Sequence, residues 1–363
     1  MLGIALIVAV PFADLQAQAN EIQPTQVDTA TECKPCRITL ARLATLGDFN
    51  DSISIYGFPH VLKMNTKGLF FAIPEPASSL AAYDRSGKLV KTVGRFRMGP
   101  GEFQAITQII LDAADTIIAV DQFARRVSIF DPTGKFVRAV PFHVEMTTGS
   151  TSTRLLDHSF VIGGNRFTSD RIGFPLHHFR ADGTPLRSFG AERPVYDRRN
   201  SAAGFRKVTS SGGLVWASWI DRYRIEAWDP ASGKLKQAFV SSPSWFPLRN
   251  ITPDVAWGEI RPFPWLKDVA VDEAGRIWVI AAIARDDWKK SPGAKYESGR
   301  LRDYYQSVIE IINPGTARVI TRLFVPEYVH GFAAPGVLYS HRETADGDIV
   351  YDVWRTTLTT TSR

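Results

Sequence analysis

The sequence repeats one unit: an alternating apolar and polar segment, a turn built on Asp or Asn with Gly, and a second alternating segment. Five copies of the unit occupy residues 80–94, 127–141, 176–190, 225–239 and 309–324. The turn residues Asp84, Asp131, Asp182 and Asp229 follow one another at steps of 47, 51 and 47 residues. Asp and Asn bond to nearby backbone groups in turns, and Gly readily adopts positive φ, so each copy is predicted to be a β-hairpin.

A second hairpin precedes each of these copies, and one more follows them. These hairpins occupy residues 60–74, 109–121, 153–164, 207–219, 268–281 and 330–341. Each unit therefore has four strands, and the chain holds about six units. A period of 40–50 residues with four strands is typical of a β-propeller blade. The sequence predicts an all-β fold, a six-bladed β-propeller with four-stranded antiparallel blades.

The two ends of the chain are predicted to complete one blade together. The sixth unit has three strands before the chain ends, and the segment 38–46 resembles an outer strand. We expect this N-terminal strand to complete the last blade, which closes the ring and removes open strand edges. The glycine-rich segment 93–103 is predicted to cross from one blade to the next. Gly94, Gly99 and Gly101 would allow its unusual backbone angles, and Phe103 would fill the space between blades.

The N-terminal residues are predicted to direct export. Residues 1–19 contain an apolar run and end in the small residues Ala17 and Ala19, as a secretory signal peptide does before its cleavage site. The mature chain is then expected in the periplasm or secreted. It would comprise an N-terminal segment, 20–36, and the propeller, 37–363. No later stretch reaches about 18 apolar residues, so no transmembrane span is predicted in the mature chain.

The two cysteines, Cys33 and Cys36, stand close together just before the first propeller strand. In an exported protein such a pair is expected to form a disulfide, and this one would pin the closing strand. A redox-active pair is the alternative. Haem attachment would need His where Arg37 stands, and a zinc site would need further Cys or His ligands nearby.

The formal net charge is +6, from 43 Lys and Arg against 37 Asp and Glu. This balance is compatible with anionic partners, such as envelope polymers or lipid headgroups, but a solvated basic surface is the favoured interpretation. The basic residues are scattered rather than arranged in a stripe with aromatic residues, so a nucleic-acid partner is not predicted.

Residues 94–140 carry the pattern of an NHL repeat. The matching residues are Gly101, Phe103, Asp112, Asp115, Val120, Asp121, Arg126, Val127, Phe130, Asp131 and Gly134. The whole chain resembles exported bacterial six-bladed β-propellers of the NHL-repeat and TolB-like group. The resemblance implies ligand binding at the propeller axis. Among similar proteins, peptide-amidating lyases hold zinc there with His, and lactonase-like hydrolases hold calcium with Glu, Asn and Asp.

The start of each inner strand is expected to face the axis. These axial ligand-pocket candidates are His60, Gln108, Arg154, Arg206, Lys267, Asp268 and His330. Two histidines are fewer than the three protein ligands of a catalytic zinc site, and the chain has no G-x-S-x-G motif. No catalytic residue and no cofactor is therefore predicted, and zinc or calcium would be the metal if one is bound.

The long loop 285–305 mixes aromatic and basic residues and is the predicted partner-binding loop. Its candidates are Trp288, Tyr296, Tyr304 and Tyr305. The sequence therefore favours a non-catalytic binding or scaffold propeller that engages a protein, peptide or envelope polymer through its loop-rich face. A metal-dependent lyase or hydrolase with an axial site is one alternative. A structural subunit of a larger envelope complex is the other.

Overall fold

The computed structural model describes residues 22–47, 61–74, 77–141, 146–147, 151–166, 173–196, 204–248, 259–290, 300–347 and 349–360. Six small, mainly antiparallel sheets form a ring, which confirms the six-bladed β-propeller. Within these residues the single α-helix is α1 (Leu301–Tyr304), and no helix is long and apolar enough to cross a membrane.

Three strands precede the first complete blade: β1 (Thr25–Gln26), β2 (Asp28–Thr31) and β3 (Cys36–Leu46). Blade 1 consists of β4 (Leu62–Met64), β5 (Phe70–Ala72), β6 (Leu80–Tyr83) and β7 (Leu89–Val93). Blade 2 consists of β8 (Ile106–Leu111), β9 (Ile117–Asp121), β10 (Arg126–Phe130) and β11 (Phe136–Pro141). The hairpins β4–β5, β6–β7, β8–β9 and β10–β11 are the ones that the sequence predicted.

Blade 3 consists of β13 (Ser152–Arg154), β14 (Phe160–Gly163), β16 (Leu176–Phe179) and β17 (Pro185–Phe189). Two short strands beside it, β12 (Met146–Thr147) and β15 (Asn165–Arg166), pair with each other. Blade 4 consists of β18 (Arg206–Ser211), β19 (Leu214–Trp219), β20 (Arg224–Asp229) and β21 (Lys234–Val240).

Blade 5 consists of β22 (Trp265–Val271), β23 (Ile277–Ala284), β24 (Tyr305–Asn313) and β25 (Arg318–Val325). Blade 6 consists of β26 (Val329–Ala334), β27 (Val337–Glu343), β28 (Ile349–Thr360) and β3. The innermost strands of successive blades contact one another around the axis, and apolar side chains fill the space between neighbouring sheets. The core is therefore a set of layers between blades.

The N-terminal strand closes the ring as predicted. Strand β3 pairs antiparallel with β28 from Cys36 opposite Thr360 to Leu46 opposite Tyr351. The segment before it was expected only to carry the cysteines, but it adds a strand to each of two blades. Strand β1 pairs parallel with β21, and β2 pairs parallel with β25. One N-terminal stretch thus joins the outer edges of blades 4, 5 and 6.

The segment 93–103 is the crossover from blade 1 to blade 2. Phe103 is fully buried, 5.7 Å from the ring of Phe130, within the apolar layer that these blades share. Gly94 and Gly101 adopt positive φ, 78° and 72°. Gly99 was expected to do the same, but its φ is not positive. A Cβ on Gly94 would lie 2.2 Å from Phe103 Cε2, so this position needs glycine for space as well as for conformation.

The blade topology separates two faces of the ring. The crossover 94–105 and the turn 122–125 leave their strands at one end, which we call the crossover face. The Asp-containing turns, such as 84–88 and 131–135, leave at the opposite end, the turn face. The strand ends that bound 241–264 and 285–304 belong to the crossover face.

Candidate functional site

Three of the six inner strands carry a β-bulge at the corresponding position. The extra residues are Thr107 in β8, Lys267 in β22 and His330 in β26. A bulge leaves one residue outside the regular ladder and turns its side chain to a new direction, and bulges are common beside functional sites. Two of the predicted axial residues, Lys267 and His330, therefore occupy irregular positions on neighbouring blades.

Lys267 extends into a cluster of lysines at the axis. Its Nζ lies 5.1 Å from the ring centre of Trp265 and 5.0 Å from that of Tyr328, within the range of cation–π attraction. Lys207, on β18 of the preceding blade, is close enough to repel it electrostatically. Lys63, on β4 of blade 1, donates a hydrogen bond to the Phe332 carbonyl at 3.0 Å. Its positive charge also repels that of Lys207.

The carboxylate beside these lysines belongs to Asp268, which is buried. It accepts hydrogen bonds from the backbone N–H of Val269 at 2.9 Å and from that of Phe332 at 2.8 Å, which ties blade 5 to blade 6. Gly331 makes room for it, since a Cβ there would lie 2.6 Å from Asp268 Oδ2. Asp268 is therefore held in place by the backbone of both blades.

We call Lys63, Lys207, Lys267 and Asp268 the axial lysine cluster. Its positive charges outnumber its negative charge. Burial lowers the pKa of Lys267 to about 7, the charge of Lys207 lowers it further, and Asp268 opposes the change. Burial also lowers the pKa of Lys207, with Lys63 adding to the effect and Asp268 opposing it. Among the described residues, Asp268 is thus the carboxylate that acts on both Lys207 and Lys267, and Lys63 adds a further positive charge beside Lys207. An anion placed among them would favour the charged form of each lysine.

An aromatic wall lines the cluster on the side of blades 5 and 6. Trp265 stacks on Tyr305 with ring centres 5.4 Å apart, and Tyr305 lies 6.1 Å from Tyr328. His330 packs edge-on against Tyr328 at 5.0 Å. It also stacks on Tyr339 at 5.6 Å. The wall is rigid because successive rings hold one another.

The wall also sets the environment of His330 and Tyr339. The Nε2 atom of His330 lies 2.5 Å from Nδ1 of His341. Burial raises the pKa of Tyr339, and the nearby Asp268 carboxylate raises it as well, so this phenol stays neutral. The wall therefore offers ring faces and the neutral phenol of Tyr339 beside the lysines.

The remaining axial candidates lie elsewhere. Arg154 forms an ion pair with Asp112 at the turn face. Arg206 is 1% exposed, and its guanidinium lies 3.5 Å from the ring centre of Trp219. Gln108 is buried in β8, and His60 lies outside the described residues. The structure thus brings together Lys267, Asp268 and His330 but separates Arg154 and Arg206 from them.

Sequence reasoning missed Lys63 and Lys207. Lys207 follows the chosen Arg206 by one position, and neighbouring residues of a strand point to opposite faces. Its signal was present in the alternation of β18, where the buried residues Arg206 and Val208 flank it. Lys63 lies three positions after the chosen His60, and the alternation of its strand, β4, could have identified it.

The histidine and carboxylate positions also bear on the metal prediction. Among the residues that the structure describes, no three His, Cys, Asp or Glu side chains come together as a metal site would require. His60 is not among those residues. The sequence predicted no cofactor, with zinc or calcium as the metal if one is bound, and the described residues do not test that prediction.

Part of the predicted partner-binding loop belongs to regular secondary structure or is partly buried. Tyr305 begins strand β24 rather than lying in a loop, and it is 4% exposed because its ring stacks on Trp265. Tyr304 ends helix α1 and is partly buried, as is Trp288. Tyr296 lies outside the described residues. Tyr305 therefore supports the aromatic wall from behind and offers little surface to a partner.

Comparison with solved structures agrees with the fold. An exported protein from Bacteroides fragilis superposes with a TM-score of 0.58 at 11% sequence identity, covering 92% of this chain and 98% of its own. A member of the DUF4221 family from Bacteroides vulgatus also gives 0.58, at 10% identity, covering 89% and 99%. At these identities the likeness concerns the fold alone. No family model matches the chain, and no curated protein matches it in sequence.

Proposed function

We propose that this propeller is a binding module that takes an anionic group of its ligand into the axial lysine cluster. The single observation that supports the proposal most is the excess of positive charge among the residues described there, where three lysines lie near the buried Asp268. A carboxylate, sulfate or phosphate group would satisfy Lys207 and Lys267 together. The aromatic wall would pack against the rest of the ligand, which we expect to be part of a protein, peptide or envelope polymer.

Two further parts of the proposal concern the protein's kinship and location. The residues of blade 2 support the proposal that the chain belongs with the NHL-repeat and TolB-like propellers. Residues 1–19 and the Cys33–Cys36 disulfide support the proposal that it is exported to the periplasm or beyond. Disulfides of this kind persist in oxidising compartments.

Sulfate is a suitable first probe because its charge does not change between pH 5 and 9. We expect calorimetric titration at pH 6 to give binding of one sulfate per chain. The double variant Lys207→Met and Lys267→Met should lose at least tenfold in affinity, because two charged hydrogen-bond donors are removed. Lys88→Met, which alters an exposed lysine of the turn face, is the matched control. Equal affinity in all three proteins would contradict the proposal, as would the absence of binding to the native chain.

A further inference from the structure

An exposed apolar patch lies on the crossover face, away from the axial cluster. Three large apolar side chains there are mostly in solvent: Phe96 is 66% exposed, Met98 68% and Phe123 69%. Phe96 and Met98 belong to the crossover between blades 1 and 2, and Phe123 belongs to the turn between β9 and β10. Large apolar side chains grouped at one surface indicate a binding surface more often than scattered single ones do.

The patch is held rigidly by the backbone around it. Arg126, at the end of the turn, donates hydrogen bonds to the carbonyl oxygens of Met98 at 3.1 Å and of Gly99 at 2.9 Å. Asp121, at the start of the turn, accepts a hydrogen bond from the backbone N–H of Gln104 at 2.7 Å. Two segments distant in sequence are thus fixed side by side, so the exposed side chains do not result from a loose loop.

The crossover itself is braced in the same way. Its backbone forms a bridge between Phe96 and Phe103, and the Glu102 carboxylate accepts from the Gly99 N–H at 2.7 Å. The apolar side chains therefore project from a preformed support. Binding through them would cost little conformational entropy.

Basic residues surround the apolar side chains. Arg97 and Arg125 are exposed and form no ion pair within the part of the chain that the structure describes, although Arg97 is close enough to lower the pKa of Glu102 together with Arg95. Arg95 is paired with Glu102 at 2.8 Å, and the charge of Arg126 is directed to backbone carbonyls. The patch therefore carries excess positive charge next to Phe and Met side chains. The chain as a whole is also positive.

We infer that this basic–apolar patch, Arg95–Met98 with Phe123 and Arg125, binds the surface of an anionic lipid membrane. Arginines attract anionic headgroups, and Phe and Met side chains enter the boundary between headgroups and acyl chains. A hydrophilic polyanion would use the arginines but offers no apolar phase for the other three side chains. The combination therefore favours lipid over an acidic polymer or peptide, and contact would point the crossover face toward the membrane.

The test uses the purified full chain and two kinds of sedimenting vesicle, pure phosphatidylcholine and a 3:1 mixture of phosphatidylcholine with phosphatidylglycerol. We expect the native protein to sediment with the mixed vesicles and only weakly with the neutral ones. The double variant Arg97→Gln and Arg125→Gln should bind roughly 25-fold more weakly, about fivefold for each charge. The double variant Phe96→Ser and Phe123→Ser should lose about tenfold or more, because apolar area no longer enters the lipid.

Leu156→Ser is the matched control, because Leu156 is 91% exposed but lies at the turn face. It should bind vesicles as the native chain does. The variant changed at Lys207 and Lys267 should also bind them normally, and this result would separate vesicle binding from the proposed axial site. Melting temperatures establish that each variant is folded. Equal vesicle binding by the native protein and the phenylalanine variant would overturn the inference. So would a failure of the native protein to bind the mixed vesicles, combined with binding to polyglutamate that depends on Arg97 and Arg125.

Discussion

At the scale of single residues, Lys267 shows how the axial site differs from an ordinary interior. Its charge is partly removed from water and lies near a second lysine, which destabilises the folded state when no ligand is present. The faces of Trp265 and Tyr328 favour the ammonium form and offset part of this cost. On the proposed function, a bound anion would offset the rest of this cost.

The lowered pKa of Lys267 gives a pH-dependent prediction. Because the pKa is about 7 in the folded protein and near 10.4 when unfolded, the unfolded chain binds more protons between these values. This lysine therefore destabilises the fold fully below pH 7, and the effect fades as the pH rises toward 10. We expect Lys267→Met to raise the melting temperature, and to raise it more at pH 6 than at pH 9.

Differential scanning calorimetry at pH 6, 7.5 and 9, without anions that bind the axis, measures this dependence. Lys88→Met serves as the control and should follow the native protein at each pH. A shift for Lys267→Met that is the same at all three values would show that Lys267 is protonated throughout, and that result or a shift that grows with pH would contradict the prediction.

At the scale of elements, hairpins were predictable and bulges were not. Each turn relies on its own residues: Asp84 accepts from the N–H of Ser86 at 2.8 Å, and Asp131 accepts from that of Thr133 at 2.9 Å. Such chemistry is visible in a short sequence window. The bulges at Lys267 and His330 depend on how neighbouring blades pack. The sequence therefore located the inner strands but could not decide between Arg206 and Lys207.

The closing strand β3 gives a prediction at the same scale. Cys36 is its first residue, and the Cys33 N–H donates to the Ile320 carbonyl of blade 5 at 3.2 Å. The disulfide thus lies where the chain passes from blade 5 to blade 6. We expect Cys33→Ser with Cys36→Ser to lower the free energy of unfolding by about 2 kcal/mol, as a short disulfide loop does.

Urea unfolding of the double variant and of the native protein, with and without reductant, measures that change. Reductant should lower the native stability to that of the variant and leave the variant unchanged. Equal stability of oxidised native protein and variant would refute the idea that the disulfide pins the ring.

At the scale of the whole molecule, ring closure explains why the two ends of the chain matter to the site. Strands β1, β2 and β3 join the outer edges of blades 4, 5 and 6, and these three blades carry Lys207, Lys267 and His330 on their inner strands. The N-terminal stretch therefore joins, at their outer edges, the blades that carry most of the axial cluster. The sequence predicted the closure by β3, because the strand count required it. It gave no sign of β1 and β2, because their residues lack a strong alternating pattern.

An anion site at the axis can be located by crystallography with selenate, which has the charge and shape of sulfate and scatters anomalously. We expect an anomalous peak among Lys63, Lys207 and Lys267 in crystals grown near pH 6 and soaked in selenate. That peak should be absent from crystals of the variant changed at Lys207 and Lys267. Selenate bound only at other surfaces of the native protein, with none at the axial lysines, would contradict the account.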